Sequence, residues 1–262
     1  MISFAERLGK RTVAGIAEMG RAAGLFGESI YWIVLGSYRK QPVRLNAVFA
    51  QSMEIGIRAI PIVTVLSLTI GVMLAIQGIH TLRIFGAESR VTLGIALSIT
   101  REFAPLITGI LVAGRSGSAL AARLGTMKIS QEIDALTVMG INPVRFLVAP
   151  ALISMVIMLP ALTWFADMVG LLGAGLYVSA DLGISMVAYL DQLREALSVD
   201  DVMHGLGKSV LFAILITVVG VVNGAGVEGG AEGVGKMTTR SVVHSISAIV
   251  ITDMLFAFLA TR

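Results

Sequence analysis

Two adjacent residues of opposite charge, Arg101 and Glu102, lie within the long apolar stretch Val91–Ala113. A charge near the centre of a bilayer costs about 2.5–3.5 kcal/mol on insertion scales, so such residues usually face a cavity, a bundle interior or a partner. Consecutive residues of a helix point about 100° apart, so one could face a cavity while the other pairs with a neighbouring helix. A wholly structural ion-pair network is the alternative.

The composition indicates an integral membrane protein. Only 14% of the 262 residues are charged and 56% are hydrophobic, whereas an average soluble domain is about 25% charged. A membrane-spanning helix needs about 20 mostly apolar residues. We therefore predict an all-α, polytopic membrane protein that forms one domain over residues 1–262, with a five-helix bundle over 55–262. The predicted spans are Ile55–Ile79, Val91–Ala113, Phe146–Val178, Val210–Gly224 and Val242–Leu259.

The first 50 residues contain no clean span. The apolar segment Leu25–Gly36 is short, includes Glu28 and is flanked by basic residues. This pattern is typical of a helix that lies in the membrane interface, and a cytosolic helical tail is the alternative. Lysine and arginine are concentrated in this region and after the second and fourth spans. The positive-inside rule therefore predicts a cytoplasmic N-terminus and a C-terminus on the other side.

A short amphipathic helix is predicted after the second span, at about residues 129–140. Ser130 could cap its N-terminus, Glu132 and Asp134 suit its first turn, and Gly140 would end it. Such a helix could dock on a partner or pack on the protein's own surface. Its apolar stripe consists of Ile129, Ile133 and Leu136.

The sequence argues against metal, redox and nucleotide chemistry. It has no cysteine and three scattered histidines, so a metal site is not expected. The segments Gly224–Gly229 and Gly230–Lys236 resemble phosphate-binding loops. However, Met237 replaces the Ser or Thr that would bind Mg²⁺, and neither segment follows a soluble β-strand. We interpret them as a glycine-rich turn, and we expect no catalytic residues and no cofactor in this chain.

An ion-coupled secondary transporter is the alternative from a different functional class. Arg101, Glu102, Asp167 and Asp253 could form a proton relay within the membrane. Five spans do not divide evenly into inverted repeats, which counts against it. An intramembrane enzyme is less favoured, since the chain has no pair of histidines or cluster of metal ligands.

Three segments resemble the MlaE/YrbE permease family. The longest is GRSGSALAARLGTMKISQEIDALTVMGINPVRFLVAP, which starts at Gly114. It is preceded by TREFAPLITGILVAG and followed further along by TTRSVVHSISAIVITD. The resemblance covers nearly the whole chain and implies an N-terminal interfacial helix followed by five membrane helices.

The resemblance also implies a function and a set of partners. Family members are homodimeric permease subunits of ABC-type transporters that move phospholipid between the inner and outer membranes and maintain outer-membrane lipid asymmetry. Relatives in other lineages handle sterols or other lipids. The expected partners are a cytosolic ATPase that binds ATP and Mg²⁺, a periplasmic MCE-domain protein and a STAS-domain protein. No nucleic acid is expected, and the expected location is the bacterial inner membrane.

Site residues follow from the same resemblance. Glu102, more than Arg101, is expected to line a lipid cavity at a dimer interface. Arg58 lies shortly before Pro61, just as Arg101 and Glu102 lie shortly before Pro105. The resemblance implies lipid binding by Arg101, Glu102, Arg240 and Asp253, with a purely structural pairing left open for Asp253, and the pattern around Pro61 adds Arg58 to the expected lipid-binding residues. The implied ATPase-coupling residues are Ser130, Glu132, Ile133, Asp134, Leu136 and Met139.

Overall fold

A computed structural model describes residues 4–36, 38–39 and 41–260, and all regular structure within these residues is helical. Short 3₁₀ turns or π-helical turns join some of the α-helices. The α-helices are α1 (Phe4–Leu35), α2 (Leu45–Ile55), α3 (Ile60–Arg83), α4 (Val91–Ser98), α5 (Ala104–Val112), α6 (Ser118–Ile129), α7 (Glu132–Val138), α8 (Ala149–Leu182), α9 (Met186–Ala196), α10 (Val199–Ala225) and α11 (Gly230–Ala260).

The prediction of an all-α protein with five membrane spans is confirmed, although the boundaries differ. The fourth span begins at Val199 rather than Val210, and the second span continues as helix beyond its predicted end at Ala113, as far as Ile129. The third span is one continuous helical stretch. Within the described residues, the stretches long and apolar enough to cross a membrane are Leu45–Arg83, Glu88–Ile129, Val144–Leu182, Val199–Ala225 and Gly230–Leu259.

Two compact units can be distinguished within the described residues. The first unit takes its described residues from the ranges 1–51, 115–154 and 215–245, and the second takes its described residues from 52–114, 155–214 and 246–262. The prediction of a single domain over 1–262 stays a prediction.

The first unit is built on an apolar core between α6, α10 and the start of the third span. Two glycines four residues apart, Gly220 and Gly224, let α10 approach α6 closely. A Cβ on Gly224 would lie 2.9 Å from the carbonyl oxygen of Ala121, and small residues at this spacing are typical of tightly packed membrane helices. The buried residues of the core are Leu120, Leu124, Val144, Val148, Ala151 and Val221.

Helix α1 is attached to this core through Leu25, Trp32 and a polar contact. Glu28 interrupts the apolar segment of α1 because its carboxylate has a partner. Its Oε1 accepts a hydrogen bond of 2.7 Å from the amide of Asn142 and one of 3.4 Å from the indole of Trp32. The amide oxygen of Asn142 in turn accepts from the N–H of Arg145 at 3.0 Å.

The predicted short amphipathic helix is present as α7, but Ser130 does not cap it. The Ser130 hydroxyl lies 2.8 Å from both the carbonyl oxygen of Thr126 and Oε1 of Glu132. The N-cap residue is Gln131, which has a φ of 59° and makes no capping hydrogen bond through its side chain. Gly140 ends the segment with a φ of +75°, as predicted.

Two glycines also bring helices together in the second unit. Gly71 of α3 packs directly on the backbone of Gly170 in α8, and a Cβ at Gly71 would overlap the Gly170 carbonyl. At the end of this unit, α9 lies against α4, and Thr92 donates a hydrogen bond of 2.6 Å to Gln192. Tyr189 of α9 is fully buried and donates to the carbonyl of Leu171 at 2.9 Å.

The close approach at Gly71 gives a stability prediction. We expect Gly71→Ala to lower the free energy of unfolding by about 1–3 kcal/mol because the added methyl group overpacks a backbone contact. The matched control is Gly207→Ala on α10, where an added Cβ meets nothing within 4 Å. We expect the control to be neutral or slightly stabilising. Thermal unfolding in detergent measures both, and an equal effect of the two changes would contradict the packing argument.

Candidate functional site

The charged pair lies in a π-helical turn, Ile99–Phe103, between α4 and α5. The Ala104 N–H donates to the carbonyl of Ile99, and Pro105 has no N–H. The carbonyl of Thr100 therefore receives neither the N–H of residue 104, which an α-helix would provide, nor an N–H from residue 105, which a π-helix would provide. Gly205 of α10 packs directly against this carbonyl, where any side chain would overlap it. The π turn and Gly205 together bring α10 close to the charged pair.

Arg101 and Glu102 both bind side chains of α10. Nε and Nη2 of Arg101 each lie 2.6 Å from Oδ1 of Asp201, and Nζ of Lys208 donates to Oε2 of Glu102 at 2.6 Å. Asp201, Gly205 and Lys208 lie on one face of α10 because they are four and three residues apart. Adjacent side chains of the second span therefore reach two turns of the same neighbouring helix.

Lys208 extends this network to the last helix. Its ammonium group lies 3.0 Å from Oδ1 of Asp253 in α11, and its side chain is 0% exposed. A buried lysine requires such compensation, because an unpaired charge in an apolar interior is very costly. The structure therefore places Asp253, a predicted lipid-binding residue, in an ion pair, which is the structural alternative left open by the sequence.

Arg101 and Glu102 retain free surface despite their partners. Their side chains are 44% and 41% exposed, whereas Asp201 is 7% exposed. Each ion pair thus has one member enclosed by the helices and one member accessible from outside. Accessible charges on an apolar span are suited to contact a polar ligand group or a partner.

An apolar groove of about 290 Å³ runs between α3 and α4 in this unit. On α4 it is lined by Val91, Gly94, Ile95 and Ser98. Arg101 and Glu102 follow Ser98 by three and four residues, in the π turn after α4, and they do not line the groove themselves. The residues contributed by α3 are Leu74, Gln77, Gly78, Thr81 and Leu82.

Two predicted lipid-binding residues are not brought into this ion-pair network. Arg58 is exposed in the 3₁₀ turn Ile57–Ala59, and Pro61 lies in the first turn of α3, where proline is well tolerated. Arg240 belongs to the first unit, where its Nη2 lies 2.8 and 3.1 Å from the two carboxylate oxygens of Glu18. Asp167, a member of the hypothetical proton relay, is buried in α8 and takes no part in these ion pairs.

The sequence interpretation missed Asp201 and Lys208, which lie outside the predicted span Val210–Gly224. Two signals could have identified them. The predicted span Val210–Gly224 is shorter than the roughly 20 residues that a crossing requires. In addition, the spacing of Asp201, Gly205 and Lys208 is that of one helix face.

The predicted coupling residues lie on and beside α7. Glu132 and Asp134 are exposed, and so are Val138 and Met139, at 87% and 64%. Leu136 is buried within the protein, and Ile133 is half-buried. The apolar side chains of this segment therefore differ in exposure. Leu136 packs inside the protein, whereas Val138 and Met139, at the end of α7, are exposed. Within the described residues, no group of three or more potential ligands could hold a metal ion.

Comparisons with known proteins agree with the resemblance. The family model described as Permease MlaE matches residues 48–259. A probable ABC transporter permease protein of Rickettsia typhi is 32% identical over 98% of this chain and 99% of its own length. The intermembrane phospholipid transport system permease protein MlaE of Haemophilus influenzae is 30% identical over 97% of this chain and 96% of its own length. The chloroplastic protein TRIGALACTOSYLDIACYLGLYCEROL 1 of Arabidopsis thaliana is 35% identical over 77% of this chain and 58% of its own length.

The ion-pair network gives a second stability prediction. We expect Lys208→Met to destabilise the protein by about 3–5 kcal/mol, because it leaves the carboxylates of Glu102 and Asp253 without their shared cation. Adding Glu102→Gln and Asp253→Asn to Lys208→Met removes those charges and should restore most of the lost stability. Unfolding in detergent measures both variants. If the triple variant is less stable than Lys208→Met alone, the charges do not act as one network.

Proposed function

This chain belongs to the MlaE permease family, and on that basis we propose that it is the membrane-spanning subunit of an ABC transporter whose substrate is a phospholipid. It is a multi-pass protein of the inner membrane. The observation that carries the substrate assignment is the apolar groove between α3 and α4, whose lining extends to Ser98, three residues before the accessible pair Arg101 and Glu102. A phospholipid has the same division into an apolar chain and a charged headgroup.

The chemistry of the pair suits a headgroup that carries both charges. The guanidinium of Arg101 can bind a phosphate through several N–H donors, and the carboxylate of Glu102 can bind a headgroup ammonium. Because each residue already has a partner on α10, neither is left as a bare charge when the site is empty. A sterol would contact the groove but has no charged group to offer Arg101 or Glu102, so the geometry favours phospholipid over that alternative.

The ion-coupled transporter is less well supported. A proton relay through Arg101, Glu102, Asp167 and Asp253 requires these side chains to be connected. Glu102 and Asp253 share Lys208, but Asp167 is buried in α8 and takes no part in these ion pairs.

We assign ATP hydrolysis to a separate cytosolic ATPase that docks on α7. The observation in favour is that the exposed acids Glu132 and Asp134 are combined with the exposed apolar residues Val138 and Met139. The remaining parts of the proposal are a homodimer, a periplasmic MCE-domain partner and a STAS-domain protein. The N-terminus and α7 would lie in the cytoplasm and the C-terminus in the periplasm, in accordance with the distribution of Lys and Arg.

The docking role of α7 can be tested by charge reversal. We expect Glu132→Arg combined with Asp134→Arg to weaken association with the purified ATPase by roughly tenfold, as is usual when charged contacts of an interface are made repulsive. Glu195→Arg in α9 is the matched control, since Glu195 is also an exposed helical acid. A pull-down at fixed salt concentration measures association. Unchanged binding by the α7 variant would contradict the proposed coupling.

The substrate assignment can be tested by filling the groove. An added Cβ at Gly94 meets nothing within 4 Å, so Gly94→Leu should fold normally while its side chain occupies the space proposed for an acyl chain. We expect severalfold less phospholipid to co-purify with the variant, as measured by mass spectrometry of extracted lipids. Gly207→Leu is the control, because Gly207 is equally open and lies outside the groove. Equal lipid occupancy in Gly94→Leu and wild type would exclude the groove as the substrate site.

A further inference from the structure

A second cavity lies within the first unit and shares no residue with the groove. Its volume is about 320 Å³. It is lined by three basic residues, Arg21 of α1, Lys128 of α6 and Arg240 of α11, and by two acids, Glu18 and Glu228. A polar cavity with several cations between membrane-protein helices is suited to an anionic headgroup.

The chain itself supplies one anion to this cavity. Both carboxylate oxygens of Glu18 lie within 3.1 Å of Nη2 of Arg240. The contact is accessible, since Arg240 is 41% and Glu18 26% exposed. The phosphodiester of a phospholipid offers an arginine two acceptor oxygens and one negative charge, as a carboxylate does, so it can replace the carboxylate. Glu18 therefore acts as an internal competitor for any anion that enters.

An apolar cavity adjoins the polar one. Its volume is about 230 Å³, and it shares Glu18 and Val222 with the larger cavity. Its other lining includes Met19, Val218 and Val219. The two cavities together form a polar compartment joined to an apolar one. This arrangement matches an amphiphile, whereas a free inorganic anion would contact only the polar compartment.

Helix α1 has exposed apolar residues close to the polar cavity. Val13, Ile16 and Met19 recur at a spacing of three residues, and each is more than 60% exposed. Apolar residues exposed on one side of a helix with basic residues fit an interfacial position at the level of the lipid headgroups. Glu18 and Arg21 of the same helix line the polar cavity.

We propose that this cavity binds an anionic phospholipid, with its phosphate on Arg240 and Arg21 in place of Glu18 and part of an acyl chain in the adjoining apolar cavity. The proposal rests on the first unit alone and not on the groove proposed for the substrate. It makes α1 a lipid-responsive element, because binding breaks the ion pair between α1 and α11.

Two substitutions that break the same ion pair should have opposite effects on binding. Glu18→Gln removes the competing carboxylate and should tighten binding of phosphatidylglycerol, whereas Arg240→Gln removes a phosphate ligand and should weaken it. We expect each change to be roughly tenfold, the usual scale for one charge-assisted contact. Native mass spectrometry of the full-length protein titrated with phosphatidylglycerol measures the affinity. If both variants shift the affinity in the same direction, the ion pair is merely structural and the proposal is wrong.

The controls separate this site from the groove and from free anions. The titrations are repeated in the Gly94→Leu background, so that lipid in the groove does not contribute. The opposite effects must persist there, whatever the outcome for the substrate proposal. Arg83→Gln, which breaks an exposed ion pair with Asp181 in the second unit, should leave the affinity unchanged. Competition by inorganic phosphate at equal concentration, or equal binding of phosphatidylcholine, would overturn the assignment to an anionic lipid.

Discussion

The enclosed ammonium group of Lys208 is the constraint on which the second unit depends. A charge of this kind is tolerated in an apolar interior only when opposite charges lie next to it. Glu102 and Asp253 meet that requirement from two different helices, at 2.6 and 3.0 Å. The second span, α10 and α11 are therefore held together at one point, and movement of any of these helices would expose or separate charges.

The backbone features around Lys208 follow from the short distances that ion pairs require. Gly205 has no side chain, so α10 can contact the carbonyl of Thr100 directly. Pro105 and the π turn leave that carbonyl without a helical donor, which makes the contact possible. These local departures from a regular helix would be destabilising alone. Here the π turn, Pro105 and Gly205 occur together, and the resulting close approach of α10 lets Arg101 and Glu102 reach Asp201 and Lys208.

The sequence was sufficient to predict helix content, the number of spans and the unusual position of Arg101 and Glu102. These features depend on apolar length and on the cost of charge in a membrane, both of which are local properties. It was insufficient for the start of the fourth span, because the predicted span Val210–Gly224 begins after Lys208 and leaves that charge outside the membrane. That interpretation assumed a lysine in contact with water, and only the tertiary partners Glu102 and Asp253 show otherwise. Ser130 failed as a cap for a local reason, since its hydroxyl binds the preceding turn.

Arg240 shows how partner choice decides what an arginine does. The sequence grouped it with Arg101, yet its carboxylate partner is Glu18, 222 residues earlier in the chain. The two arginines share one property, because each is bound to an acid of the chain while remaining more than 40% exposed. Any ligand anion therefore competes with a carboxylate for the guanidinium. This competition favours phosphate, which is charged and has two or more acceptor oxygens, over neutral acceptors. At Arg101 the neighbouring Glu102 adds a site for a headgroup cation, whereas in the first unit three basic residues face two acids. The first arrangement suits a zwitterion and the second suits an anion, so the same ion-pair chemistry can distinguish two classes of lipid.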